Sequence, residues 1–134
     1  MSERTGARER PPADPTDPRH AALFRLGLER FAASDWFGAH ECFEDLWRCH
    51  GRGSAEGRLL QALVQLCASE LKRVAGGRAA GRLAARAAAH LDALPDPLLG
   101  VRTRALAARI RAPARPVVIP LVPAAAVDGS RGVG

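Results

Sequence analysis

The 134-residue sequence predicts an all-α protein: a small bundle of about five helices with short loops, a flexible N-terminal leader and a C-terminal tail. Three observations carry that reading. Apolar residues recur at helical spacing, most clearly Leu59, Leu63, Leu66, Cys67, Leu71 and Val74. Cap and stop residues bracket most of the candidate helices. Nowhere does apolar–polar alternation persist long enough to build a sheet.

Residues 1–16 (MSERTGARERPPADPT) combine charge, proline and small residues without period, so they read as a disordered leader. They lack the apolar core of a signal peptide. Asp17-Pro18 then supplies an N-cap with proline at the first helical position. The helix it opens runs to about Ala33, with Ala22, Leu26, Leu28 and Phe31 as apolar positions. Ser34-Asp35 breaks it and caps a second helix, Trp36 to about Cys49. After the loop Gly51-Arg52-Gly53, Ser54 caps a third helix from Ala55 to about Ala75, which Gly76-Gly77 stops. A fourth, from about Ala79 to Leu94, turns Leu83, Ala87, Leu91 and Leu94 inward. Its other side carries Arg78, Arg82, Arg86 and His90, each four residues apart, the pattern of a solvated face. Pro95-Asp96-Pro97 is expected to end this helix and cap a fifth, to about Ile110. From Ala112 the stretch ARPVVIPLVP reads as extended chain whose apolar residues can dock on the bundle, with the last ten residues loose. One helical domain over 17–111 follows, with a tail over 112–134.

Composition narrows the function classes. Apolar residues at 47% and charged residues at 25% suit a globular domain. No uninterrupted apolar run approaches the roughly 18 residues of a membrane span. Three cysteines, Cys42, Cys49 and Cys67, lack paired spacing and read as small buried hydrophobes in a reducing cytoplasm. The net charge of +6 is weak evidence for nucleic acid, since 19 of the 20 cations are Arg and 27 residues are Ala, a compositional bias. Charge is nevertheless uneven. Residues 35–56 hold five acids and two bases (−3), and residues 57–115 three acids and eleven bases (+8). An acidic partner would be attracted to the second region. No nucleic-acid-binding motif accompanies the basic stripe, so a nucleic-acid accessory role through Arg78, Arg82 and Arg86 is the weaker alternative.

The second helix, DWFGAHECFEDLW, concentrates the chemistry. It carries both tryptophans, a histidine and four carboxylates. At 100° per residue Trp36, Ala39, Phe43, Leu46 and Trp47 share a stripe, and His40 falls at its edge. Glu44 lies one turn beyond His40 and within reach of the imidazole. Glu41 and Asp45 are expected to face solvent. The His40–Glu44 pair has three readings: a structural pair locking the helix, a polar pair orienting a ligand between Trp36 and Trp47, or part of a metal site. HExxE offers one nitrogen and one carboxylate but not the second histidine of a zinc protease. His20, His50 and His90 lie elsewhere. Glu70 projects into the apolar arc of the third helix, where a carboxylate is costly unless paired. Either His40 or an arginine of a neighbouring helix partners it, or the helix is rotated and Glu70 reaches solvent. Were it to face His40 and Glu44, the three could hold a divalent metal.

Phe31, Trp36-Phe37, Ala39-His40-Glu41, Glu44, Trp47, Leu63-Val64-Gln65-Leu66, Gly76, Gly81 and Leu91 together resemble the family catalogued as domain of unknown function 309, over roughly Arg19 to Leu94. Its signature runs AHExxExxW and then GLIQ, so the resemblance implies a helical bundle with the HExxE helix packed inside and His40, Glu41, Glu44, Trp36, Trp47 and Gln65 as its centre. It implies no reaction. The family usually has Glu where this chain has Gly38. That glutamate would complete a capping box with Asp35, and a glycine there should weaken the first turn by roughly 1 kcal/mol. A looser similarity to tetratricopeptide-type hairpins covers the first two helices, without a repeating period.

The sequence therefore points to a small cytoplasmic bundle without catalytic residues or cofactor, its HExxExxW centre structural or binding a small ligand or partner. Its partner would be a second copy or another protein, not a membrane. The rival is a metal-dependent hydrolase-like enzyme using His40, Glu44 and Glu70.

Overall fold

The computed structural model describes residues 14, 16–50 and 53–123. The leader expected before residue 14 and the last ten residues lie outside that range. Among the described residues are five helices: α1 (Pro18–Ala32), α2 (Trp36–Trp47), α3 (Ala55–Val74), α4 (Ala80–Asp92) and α5 (Thr103–Arg111). Extended pairing is limited to isolated bridges. No helix among these residues is long and apolar enough to cross a membrane.

Caps set the helix starts as the sequence suggests. The Asp17, Asp35 and Ser54 side chains accept from the backbone N–H groups of Arg19, Gly38 and Gly57. α3 ends in a Schellman arrangement: the Gly76 N–H donates to the Arg73 carbonyl at 3.1 Å and the Gly77 N–H to the Lys72 carbonyl at 2.8 Å. Gly76 takes φ +79°, which a residue with a Cβ adopts only at a cost.

Each helix packs on the next in chain order, giving a helical meander. α3 is its axis, burying nine of its 20 residues where α1 buries three of 15. Leu59, Leu60, Leu63 and Leu66 of α3 join Phe43 and Leu46 of α2, and each such side chain contributes about 2 kcal/mol by leaving water. The facing side of α4 is built from Ala84, Ala87, Ala88 and Leu91, so small residues let that helix lie close to its neighbours. The tail closes the remaining side, with Val117 only 4% exposed and Ile119 packed against the core.

The structure corrects two expectations. The fifth helix does not begin after Pro97. Leu98 and Val101 exchange backbone hydrogen bonds at 2.9 Å around Leu99 (φ 51°) and Gly100 (φ 77°), a two-residue turn of the kind that needs left-handed φ at both central positions. The helix starts at Thr103, without a side-chain cap; the Thr103 hydroxyl instead donates to the Pro95 carbonyl at 2.8 Å. The inward face of α1 is also turned. Ala22 and Leu26 are exposed, and His20, Gly27 and Phe31 are buried with Leu23, Phe24 and Leu28 beside them.

Gly27 explains that rotation. A Cβ at this position would stand 2.6 Å from Cε1 of Phe43, a ring with no exposed surface. The missing side chain lets α1 cross close over the ring with this face turned inward. Gly27→Ala should destabilise the protein despite alanine's better helix propensity. Overpacking costs about 1–3 kcal/mol against a gain near 1 kcal/mol. Urea unfolding measures the balance, and a variant as stable as the parent or more so would show that α1 does not depend on this contact.

Candidate functional site

Asp35 sets the start of α2 and so the direction of every side chain in the HExxExxW run. Its carboxylate oxygen accepts from the Gly38 N–H at 3.0 Å. Gly38 is buried, and a Cβ there would run into the Asp35 carboxylate and lie 2.9 Å from Cδ of Arg30. The glycine thus has a packing role that its helix propensity alone conceals: it admits Arg30 of α1 beside the cap.

His40 and Glu44 do meet. Nδ1 of His40 lies 3.9 Å from Oε1 of Glu44, with side chains 26% and 35% exposed. That is an ion-pair distance if the imidazole is protonated, and too long for a hydrogen bond. Glu44 also lies 3.6 Å from the Arg48 guanidinium. Trp36 and Trp47 are half-buried at the margin of the core. Glu41 is half-buried rather than turned to solvent. Asp45 departs further from its expected outward direction, its side chain only 11% exposed and 3.6 Å from Arg48. Gln65 is half-buried on α3, and its Oε1 is buried without a hydrogen-bond partner among the described residues.

Glu70 is the most constrained polar group of the set. It is 1% exposed, so α3 is not rotated to free it. Its partner is neither His40 nor an arginine of a neighbouring helix. Arg73, one turn on along α3, donates Nε–H to Oε1 at 2.6 Å, and the backbone N–H of Val117 donates to Oε2 at 2.8 Å. The Arg73 guanidinium in turn lies over the Trp36 ring, 5.8 Å from its centroid. One carboxylate therefore joins α3, the start of α2 and the tail. Both of its oxygens are engaged there, which corrects the triad of His40, Glu44 and Glu70. Among the described residues no three of His, Cys, Asp and Glu are gathered as a metal-holding group.

A second polar locus escaped sequence reasoning. His20, buried near the start of α1, and His50, just past α2, approach edge to face with ring centroids 6.0 Å apart. They stand in the wall of a groove of about 550 Å³ that reaches from α1 to the Leu99–Gly100 turn and to Leu121 of the tail. Burial and the nearby His20 hold the His50 imidazole below its ordinary pKa, while Glu56 opposes them. No spacing rule joins residues on two helices, so the sequence offered no signal beyond their positions at helix ends. A smaller cavity of about 150 Å³ lies between Leu28 and Phe31 of α1 and residues 116–119 of the tail. Neither cavity has His40, Glu44, Trp36 or Trp47 in its wall. The three cysteines are free thiols, and burial pushes those of Cys67 and Cys49 upward.

Residues 24–83 match the model of the family described as domain of unknown function (DUF309). That stretch, 60 of the 134 residues, is what the chain shares with the family. The match is narrower than Arg19 to Leu94 but contains the whole HExxExxW helix, Gln65 and the Glu70–Arg73 pair. His20 and Val117 fall outside it. No curated protein and no solved structure matches the chain.

Two predictions follow from this geometry. Glu70→Ala should cost about 2–4 kcal/mol, since it leaves the Val117 N–H without its acceptor and removes one partner of a buried pair. Urea unfolding reads the loss, and faster hydrogen exchange at the Val117 amide should accompany it; unchanged exchange would contradict the tail attachment. For His50 the folded-state pKa is lowered, so its neutral form is the stabilised one. Its contribution is complete above the ordinary value of 6.5 and is lost as pH falls through the lowered one. The unfolding midpoint should therefore drop between pH 7.5 and 5.5 more steeply in the parent than in His50→Gln. Equal slopes would refute it.

Proposed function

We propose that this domain acts by binding rather than by catalysis, and that its HExxExxW helix is the structural centre of the binding fold. The observation that carries the reading is the relay from the Trp36 ring through Arg73 and Glu70 to the Val117 amide. It commits Trp36, at the start of the signature helix, and the buried carboxylate to holding the molecule together. What remains of the constellation, His40 and Glu44, is a half-exposed pair at 3.9 Å. Such pairs contribute little to stability, and this one lines neither the groove of about 550 Å³ nor the cavity of about 150 Å³.

The same end of the molecule supports a protein partner or a second copy. Phe37, Val74 and Val118 are 62%, 58% and 61% exposed, and each follows directly in sequence a member of the relay: Trp36, Arg73 or Val117. Large apolar side chains left in water at a rigidly held end suit an interface. The exposed Arg78, Arg82 and Arg86 fit a solvated face equally well, without an aromatic platform beside them. Three free thiols suit a reducing compartment, and the cytoplasm is where we place the protein.

The decisive comparison is between Trp36→Ala and His40→Ala. The first should lower stability by about 2–3 kcal/mol through lost packing and the lost cation–π contact, the second by less than about 1 kcal/mol. Zinc or manganese added to the parent should leave its melting temperature unchanged. A metal-induced rise that disappears in His40→Ala, with stoichiometric metal in the purified protein, would overturn the binding-module reading in favour of a metal centre.

A further inference from the structure

The groove of about 550 Å³ shares no residue with His40, Glu44 or Trp36, and its lining is ordered along α1. At the helix start stand Asp17 and His20, with His50 beside His20; one to two turns on come Phe24, Arg25 and Leu28. Leu46 and Leu60, both core residues, form part of its apolar wall, so the groove reaches the hydrophobic interior. At 1.5 Å per residue, His20 and Leu28 are about 12 Å apart along the helix, the span of a straight chain of roughly ten carbons. The volume is in the range of pockets that enclose small organic ligands, and such pockets combine apolar walls with a few converging polar groups.

Charge selects the kind of head group. Asp17 is already engaged: its carboxylate caps α1 through the Arg19 N–H and is paired with the Arg19 guanidinium at 3.1 and 3.2 Å. Arg25 is exposed on the groove's lining and has no ion-pair partner among the described residues. Arg25 is thus the cation of the lining left to meet a ligand, while the carboxylates of Asp14, Asp17 and Glu56 act on the two histidines. A carboxylate is the anion whose geometry suits guanidinium and imidazole donors together.

We propose that the groove binds an amphipathic monocarboxylate, its head group at His20, His50 and Arg25 and its aliphatic chain along Phe24, Leu28 and Leu60. Binding tightens as the pH falls from 8 to 6. An anion beside His50 favours the imidazolium that burial and His20 disfavour, and Glu56 acts in the same sense as the anion. The other charged groups facing the pair, Asp14 and Asp17, stay ionised in this range because hydrogen bonds from Thr16 and Arg19 hold their carboxyls below the usual values.

The test is titration of the full chain with decanoate below its micelle concentration, by calorimetry and by the imidazole signals of labelled histidine. Decanol and acetate serve as controls. Decanoate should bind at one site and shift the His20 and His50 signals but not those of His40. Decanol should bind about tenfold more weakly, and acetate weaker still, because the head group and the chain each contribute. Arg25→Gln and His50→Gln should each weaken decanoate binding about five- to tenfold, since each removes one charge-assisted contact. Ala21→Trp alters an exposed helix position on the groove's lining, so it should fold as the parent does and block the site. Absence of binding overturns the proposal. So does equal affinity for decanol, or binding unaffected by Ala21→Trp, either of which would mark simple apolar adsorption.

Discussion

A carboxylate with 1% of its surface exposed sits near the end of the central helix, and the arrangement around it decides how the molecule closes. An ionised group so placed is tolerated only with partners for its oxygens. Glu70 has two of different kinds: a side chain on its own helix and a backbone amide 47 residues further along the chain. The first is local and costs little ordering. The second fixes a long loop, so the energy that keeps the carboxylate inside is spent on positioning the tail. Arg73 is 35% exposed on its side chain, which leaves the guanidinium partly hydrated while it lies over Trp36. Desolvation is thereby confined to the acid.

Beyond the packing of Val117 and Ile119, the tail is attached by isolated hydrogen bonds. Pro113, Pro116, Pro120 and Pro123 lack N–H donors, so no continuous ladder can form along it. What replaces a ladder is a set of separate bonds, among them the Val117 N–H to Glu70, the Arg102 N–H to the Pro120 carbonyl and the Val122 N–H to the Gly100 carbonyl, with the Arg109 and Arg102 guanidinium groups donating to the Val118 and Leu121 carbonyls. The bonds from the Arg102 and Val122 N–H groups depend on the left-handed turn at Leu99–Gly100, and that turn also displaces the start of α5 to Thr103. Tail and turn are therefore one feature. Together they supply Leu99, Gly100, Leu121 and Val122 to the groove beside His20 and His50. Its outer wall exists because a carboxylate on α3 and a glycine at residue 100 hold a proline-rich segment in place.

Local chemistry could be read from the sequence, and contacts between distant segments could not. Asp17, Asp35, Ser54 and the Gly76-Gly77 stop act within one helical turn, so their residue types alone locate the helix ends. For α1, counting apolar side chains favours Ala22 and Leu26 as the inward face, and both are exposed. The position that decides the face is Gly27, which fits by having no side chain at all. An ideal projection turns Asp45 outward, whereas its side chain is 11% exposed and lies 3.6 Å from the Arg48 guanidinium. Glu70 was recognised as anomalous, yet its second partner is a backbone N–H, which every residue but proline carries and which leaves no mark in a sequence.

The HExxE spacing shows the same limit at the level of function. Residues four apart on a helix bring an imidazole and a carboxylate together in any protein, so the pair carries no chemistry until a third group is added. Here the nearest candidate by sequence reasoning, Glu70, has both oxygens occupied by groups that need them for the fold. His20 and His50 present the reverse case. Nothing in their spacing associates them, but the packing of α1 on α2 sets their rings 6.0 Å apart beside a groove that reaches the core. A conspicuous motif can thus serve the architecture, while a pair assembled from two helix ends lines a groove. In this fold the signature helix supplies Leu46 to the wall of that groove, and its own His40–Glu44 pair lies outside it.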